Sequence, residues 1–408
     1  MKNIRLGFTL IELLVVVGII AILSTLIVVY FNTAKMGARD ARRLSDVKQI
    51  QLALKMFYND VGIYPTVITA GNAIANGGTN YLLRVPANPT PRADNGCADQ
   101  EYQYKQLESG ARYSLSFCLG DVTDDLLGGS HTATANGILN CATGYVPVPG
   151  SSTFNTNDFC VMKYEAKCAN ITAETVGLTT PVTANNTYDN SSTNCVVSGG
   201  APDYKPVSVA SGYPIGSISE ANAAAYCSTI GGHLMTNAEW MTIARNVEQT
   251  AANWNGGVIG TSWINRGNYT GAALAFDGTT VGTSQAKRTH TLSNGELIWD
   301  LSGNVSEWLA DTCTSGAGSG SYFDSTGLIE WTDSNLDDYE RGAAGPTVNT
   351  YNDATNALGR YDGCSTTGNF FIRGGYVDTT NATYAGIFQL DQTSTGTAAT
   401  RIGFRCVK

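Results

Sequence analysis

The chain begins Met1-Lys-Asn-Ile-Arg-Leu-Gly7-Phe8-Thr-Leu-Ile-Glu12-Leu-Leu-Val-Val-Val-Gly18-Ile-Ile-Ala-Ile-Leu23, and the apolar run continues to Phe31. A short basic leader closes on a glycine, and a single acid sits inside the apolar segment. The run from Phe8 to Tyr30, about 23 residues, is long enough to cross a bilayer as a helix at 1.5 Å per residue. A secretory signal has a shorter apolar part that ends at a small-residue cleavage site, and none is found here. A plain anchor leaves Glu12 unexplained, because an isolated carboxylate in lipid costs several kcal/mol and calls for a partner. A free α-amino group on a neighbouring chain is such a partner. Cleavage after Gly7 would create one at Phe8.

The segment Gly7-Phe8-Thr9-Leu10-Ile11-Glu12, with the apolar run to Leu23, closely resembles the class III signal of type IV pilins and type II secretion pseudopilins. The resemblance implies cutting between Gly7 and Phe8 by a prepilin peptidase and methylation of Phe8. It also implies that Glu12 pairs with the amino terminus of an adjacent subunit. The implied partners are other pilin subunits, the peptidase and the membrane. The implied location is the inner (cytoplasmic) membrane before assembly and a cell-surface or extracellular filament after it. Many major pilins carry proline at the position of Val29; its absence leaves a straighter helix.

Past the apolar run the helical pattern continues. Leu44, Val47, Ile50, Leu54, Phe57 and Tyr58 recur at three- and four-residue steps and form one apolar stripe. Lys35, Arg39, Arg42, Arg43 and Lys48 occupy the other faces, as a solvated surface or a contact with lipid head groups. Gly62 and Pro65 end the helix. The remainder is rich in Gly, Thr, Asn and Ser, with short β-type runs. The net charge of −9 argues against nucleic acid as a main partner. All ten cysteines lie beyond residue 96, which reads as disulfides in an exported region. With no C-x-x-C pair there is no zinc-ribbon pattern. Cys97–Cys118, Cys168–Cys195 and Cys313–Cys364 are the expected local pairs, each stabilising by about 3 kcal/mol through loop-closure entropy. Cys141 and Cys160 remain unassigned.

These patterns divide the chain into a leader (1–7), a helix (8–59, transmembrane over 8–30) and a small head (60–127). A flexible hinge (128–137) and a large C-terminal domain (138–408) follow. In the head, Tyr102–Lys105 and Ala111–Cys118 alternate like two strands. The hinge reading rests on the Gly- and Thr-rich run Gly128-Gly-Ser-His-Thr-Ala-Thr-Ala-Asn-Gly137. In the C-terminal part, Thr236 and Glu239 form an S/T-x-x-E capping box. Trp299 and Trp308 bracket a Gly-Asn turn. Gly374-Gly375 permits close backbone approach or positive φ.

Four stretches occur there in order: Ala225-Tyr-Cys227 leading to Gly231-Gly-His-Leu-Met-Thr236-Asn-Ala-Glu239-Trp240; Trp299-Asp-Leu-Ser-Gly303-Asn304-Val305-Ser-Glu307-Trp308; Ile372-Arg-Gly-Gly375; and Ile402-Gly-Phe-Arg-Cys406. Together they resemble the formylglycine-generating enzyme (sulfatase-modifying factor) domain, a variant of the C-type lectin fold. The resemblance implies a Cys227–Cys406 bridge closing the domain. It also implies calcium at Asn304, the backbone of Val305 and Glu307, with Asn265 and Asp277 as candidates for a second site. The family's oxidase uses two copper-binding cysteines shortly after the Gly-Gly motif. Here those positions read Tyr376-Val-Asp378-Thr-Thr-Asn381-Ala-Thr-Tyr384, so no copper and no catalysis are expected. His131, His233 and His290 are scattered and read as ordinary polar residues. A scaffold without chemistry suits binding. Tyr376, Asp378, Thr379, Asn381, Tyr384 and Asp391 are the candidate contact residues, in a segment that also resembles the variable ends of retroelement-diversified lectin-fold proteins.

The expected fold class is α+β. A long N-terminal transmembrane and amphipathic pilin helix with a small antiparallel sheet precedes a loop-rich C-type lectin-like α+β domain. The expected function is a pilin-like (pseudopilin) filament subunit displaying a non-catalytic lectin-fold domain for surface attachment or the binding of an unidentified ligand. The alternatives are a pilin-tethered oxidase of the formylglycine-generating type and a minor pseudopilin of a type II secretion system.

Overall fold

The computed structural model describes residues 10–170, 204–216, 218–269, 280–316, 318, 320–325, 327–377, 384–393, 396 and 401–408. Side chains at 12, 21–29, 168–170 and 204–205 fall outside that set. So do Gly7, Phe8, Asp277, Asp378, Thr379 and Asn381, and with them the expected Cys168–Cys195 pair. Two compact units are present: residues 1–103 with 115–133, and residues 104–114 with 134–408.

In the first unit a single helix, α1, spans Leu10–Val61. Gly62, at φ 82°, returns its N–H to Tyr58 O (2.8 Å) and stops it. The second half of α1 buries Leu44, Val47, Ile50, Leu54 and Phe57, and Tyr64, Ile74, Leu115, Phe117 and Leu119 of the same unit are buried as well. Leu10, Ile11, Leu13 and Leu14 are exposed. Among the described residues no helix is long and apolar enough to cross a membrane. Of the apolar residues 8–30, the described ones at 10, 11 and 13–20 are exposed along the helix.

Two expectations are corrected here. Arg39 and Arg43 do not face solvent. Arg43 is fully buried and bonds Asp40 (2.7 Å), Asp94 (2.8 Å) and Asn88 (2.9 Å), and Arg39 reaches both oxygens of Asp94. Asp40 in turn accepts from the backbone of Gly120 and Asp121. A guanidinium with several donors can be buried only when each is answered, and here carboxylates and carbonyls answer them. Arg42 and Lys48 do remain largely exposed. The second correction concerns 128–137, which is not a flexible hinge. Gly129–Thr134 is a strand, in antiparallel register with the preceding one from Leu119↔Gly129 to Leu115↔Ala133. His131, Thr132 and Ala133 are buried, and the His131 ring packs on Phe117. Their burial on a pleated surface outweighs the flexibility that glycine would otherwise give.

In the second unit, helices α2 (Glu220–Thr229), α3 (Asn237–Glu248), α4 (Asp338–Ala344) and α5 (Asp353–Asn356) pack with short sheets. One four-stranded sheet runs His233–Leu234, Cys406–Val407, Phe159–Met162, Tyr145–Val148 in spatial order. Another runs Ala385–Thr393, Phe370–Gly375, Ser306–Thr312, Ile402–Gly403. Both use strands from the far C-terminus, so the end of the chain is built into the middle of the unit. Thr236 and Glu239 make the reciprocal capping box at the start of α3. That helix buries Trp240, Met241, Ile243, Ala244 and Val247 in the larger core, and Trp240 Nε1 donates to Ile387 O (2.9 Å). A smaller core gathers Tyr226, Trp308 and Phe404.

Four disulfides are described: Cys97–Cys118 in the first unit, and Cys141–Cys160, Cys227–Cys406 and Cys313–Cys364 in the second. Cys141–Cys160 had no sequence-based assignment; it becomes legible only once Tyr145–Val148 and Phe159–Met162 pair as a hairpin.

Candidate functional site

The Gly303-Asn304 turn lies in a buried polar cluster of the second unit. Asn304 sits at φ 64°, and Gly303, at φ 74°, lies so close to Asn268 that a Cβ would fall 2.5 Å from its carbonyl oxygen. Asn304 Nδ2 donates to Glu165, and the Val305 N–H donates to the same carboxylate (3.0 Å). Asn268 Nδ2 donates to Asn304 Oδ1 (3.0 Å). Arg405, fully buried, donates to Glu307 (2.7 Å) and to the carbonyls of Met162, Lys163 and Trp299. Arg288 grips Asp300 through two bonds (2.6 and 2.7 Å). Burial pushes the Glu165 carboxyl well above the usual range, aided by Asp300 and Glu307 and opposed by Arg405. Burial likewise pushes Glu307 up to about 7.

This arrangement does not fit calcium at the expected residues. A calcium ion needs six to eight oxygen ligands. The turn instead aims N–H groups at Glu165, and a guanidinium already neutralises Glu307. One oxygen, Glu307 Oε2, is buried without a partner. A single oxygen does not make a site, and among the described residues no group of three acidic, histidine or cysteine side chains is placed so that it could hold a metal ion. Asn265, the other proposed ligand, donates to Thr289 O and accepts at its carbonyl from buried His290. Glu165 was missed from sequence. Its signal was an acid three residues past the apolar run Phe159–Met162, where a strand leaves the sheet.

Gly374 and Gly375 have φ of 78° and 69°. A Cβ on Gly375 would fall 1.7 Å from Tyr384 O, so only glycine fits. Arg373 beside them is fully buried and bonds Asn237, Ala344 O and Phe388 O, which ties the start of α3 to the strand; burial lowers it to about 9.

Two of the expected contact residues are brought together. The rings of Tyr376 and Tyr384 stack at 5.5 Å, the Tyr376 N–H donates to Tyr384 O, and Arg401 lies over Tyr376 at 5.0 Å. They stand at the two ends of residues 377–383. Asp391 is placed elsewhere. It pairs in register with Ile372, about 20 Å along the strand from Ala385, and its carboxyl meets Asp362. Burial, then the charge of Asp362, pushes Asp391 up to about 7. The folded state therefore binds more protons than the unfolded one between pH 4 and 7, and this pair costs stability as pH rises through that window. Asp391→Asn is expected to leave stability unchanged near pH 4 and to raise it at pH 8, by on the order of 2–3 kcal/mol. Urea midpoints at the two pH values would show it; an equal shift at both would mean that the carboxylates do not share a proton.

Comparison with known proteins identifies both halves. Residues 126–408 match the sulfatase-modifying factor enzyme 1-like domain, and the chain belongs to that family. Residues 2–28 match the prokaryotic N-terminal methylation motif. The chain is also similar to type II secretion system core protein G of Vibrio cholerae serotype O1, 34% identical over 94 residues. That match covers 22% of this chain and 59% of the Vibrio protein, so the chain spans less than two thirds of that relative. The protein of the same name from Aeromonas hydrophila is 31% identical over 99 residues, 22% of this chain and 69% of its own length. Among solved structures, PvdO from Pseudomonas aeruginosa is 16% identical, with 76% of this chain and 94% of that one covered and a TM-score of 0.30. Treponema denticola variable protein 1 is 12% identical, with 75% and 98% covered and a TM-score of 0.30. Both scores are low.

Proposed function

We propose that this chain is a pilin-like subunit, processed by a prepilin peptidase, anchored in the inner membrane and assembled with other subunits into a filament. In this reading the sulfatase-modifying-factor-like unit is a binding head rather than an enzyme. The observation that carries it is the methylation motif at residues 2–28 heading a chain whose larger part belongs to the sulfatase-modifying factor family. Similarity to a secretion-system core protein supports the filament part. The absence of chemistry is supported by the cysteines. None lies between Cys364 and Cys406, and Cys406 is bonded to Cys227. A thiolate pair able to hold copper has no residues to supply it near Gly374-Gly375. The stacked Tyr376 and Tyr384, on glycine-fixed backbone, offer a rigid edge for contact.

The test is direct. The purified full chain, incubated with copper, oxygen and a cysteine-containing sulfatase peptide, is expected to yield no formylglycine by mass spectrometry. Filaments sheared from cells are expected to carry the chain beginning at a methylated Phe8. Turnover of the peptide would overturn the binding-head reading; recovery of residues 1–7 in mature material would overturn the filament reading.

A further inference from the structure

A cleft of about 700 Å³ lies within the second unit, away from Tyr376 and Tyr384. Its volume is that of a small-ligand site. One wall is the exposed side of α3, one is the Glu108-Ser109 turn, and Phe154 lies between them. The turn is unusual in itself. Glu108, Ser109 and Gly110 hold φ of 47°, 52° and 99°, so two non-glycine residues in a row are left-handed. Such conformations persist where surrounding bonds over-determine them, and they concentrate at functional sites. Here Ser151 Oγ, Ser152 Oγ (2.6 Å) and the Ser152 N–H clamp both oxygens of Glu108, and Arg112 lies 3.6 Å away. Glu108 lines the cleft, yet its charge is already answered. The serine hydroxyls and the Ser152 N–H hold it below the usual carboxylate range against the opposing effect of burial.

The remaining lining has a consistent chemistry. Lys105, Ser109, Thr153 and Gln249 are exposed and make no side-chain bond among the described residues. Arg245 stands at the back, its guanidinium 5.9 Å from the Phe154 ring centre. Arg245 and Thr347 also line an adjoining depression of about 460 Å³ between α4 and residue 349. The two hollows share these two residues and make up one groove, whose smaller end also carries the Asp338 carboxylate, so the acidic ligand's charge is read at the Lys105 end. A chain of net charge −9 here presents an unpaired lysine; the Arg245 guanidinium is already engaged by Thr347, the Arg341 carbonyl and the buried Glu248 carboxylate at 4.0 Å, as the Glu108 carboxylate is by its serines. Hydroxyls and an amide serve ligand hydroxyls, the part of the Phe154 ring that Arg245 leaves uncovered serves an apolar sugar face, and Lys105 serves a carboxylate.

We propose that this groove binds a linear acidic saccharide, with Lys105 contacting a uronate carboxylate and Phe154 a ring face. The inference deepens the binding-head reading and rests on it, but places the ligand at a different surface from the tyrosine edge. It is tested on the detergent-solubilised full chain by calorimetry with tetragalacturonate, cellotetraose and a tetraglutamate peptide. Tetragalacturonate is expected to bind, at least tenfold more tightly than cellotetraose, and to weaken as salt is raised. Lys105→Glu is expected to weaken it at least tenfold, Lys105→Arg to retain it, and Gln249→Ala to weaken it severalfold. These positions are exposed, so the variants should fold, which unchanged urea midpoints would show. Equal binding of the neutral tetrasaccharide, tighter binding of the peptide, no saccharide binding, or indifference to Lys105→Glu would each overturn the proposal. Filament attachment that persists in that last case would leave the binding-head reading standing.

Discussion

Replacing Glu12 by alanine is expected to abolish filament assembly while leaving the chain in the membrane. The argument is electrostatic. Glu12 is the only charged residue between Phe8 and Phe31. A carboxylate at that depth costs several kcal/mol unless it finds a counter-charge. Cleavage after Gly7 would place the Phe8 ammonium at the start of the same apolar segment, so a neighbouring subunit can supply that charge. Alanine removes the cost for the isolated chain, so insertion should improve or stay level. It also removes the attraction that draws one subunit's terminus to the next. Filament yield should fall at least tenfold. Membrane-fraction chain and its processing at Gly7 should be unchanged, and Glu12→Asp should restore part of the yield. Immunoblots of sheared filaments and membranes would measure this. Undiminished filaments from Glu12→Ala would mean that the acid has no partner in the assembly.

The apolar stripe of α1 was legible because helix periodicity reports directly on burial. The capping box of α3 and the glycines of Ile372–Gly375 could be read for related reasons, each being a local pattern tied to a backbone requirement, whereas the Cys227–Cys406 bridge, 179 positions apart, was legible only through the family resemblance. What escaped was non-local. Arg43 reads as a surface residue because an Asp40–Arg43 pair at i,i+3 looks like an ordinary surface ion pair, while Asp94 and Asn88, which complete its burial, lie about fifty positions away. Residues 128–137 look flexible by composition, and only pairing with Leu115–Leu119 makes them a strand. The Asn304 and Glu307 pair shows the same limit at the site. Their oxygen chemistry suggests a cation, while the structure sets Glu165 and Arg405, from opposite ends of the unit, against them. Side-chain type constrains what a residue can bind, but the partner it binds is decided by topology.

Arg405→Met is expected to be the most damaging single change in the second unit. Arg405 has no solvent exposure, and its donors are spent on Glu307 and three backbone carbonyls drawn from two distant segments. Methionine approximates its length but answers none of them. Glu307, already pushed up to about 7 near Asp300, would lose the guanidinium that lowers it and be left as a buried carboxyl that can ionise only at high cost. Removing one partner of a buried pair typically costs about 3–5 kcal/mol. That is a large share of the roughly 5–15 kcal/mol by which domains are stable. All six tryptophans lie between residues 240 and 331, so their fluorescence in a urea titration reports on this unit alone. Glu307→Gln relieves the stranded charge. The double variant Arg405→Met with Glu307→Gln should therefore be less unstable than the sum of the two single changes, by about 1–3 kcal/mol of coupling. Strict additivity, or a loss below about 1 kcal/mol in Arg405→Met alone, would show that the guanidinium is not what makes the buried carboxylates tolerable. Because the same arginine joins the strand at Met162 to the last strand of the chain, such a result would also move the origin of the unit's cohesion from this charge cluster to the Trp308 and Phe404 core beside it.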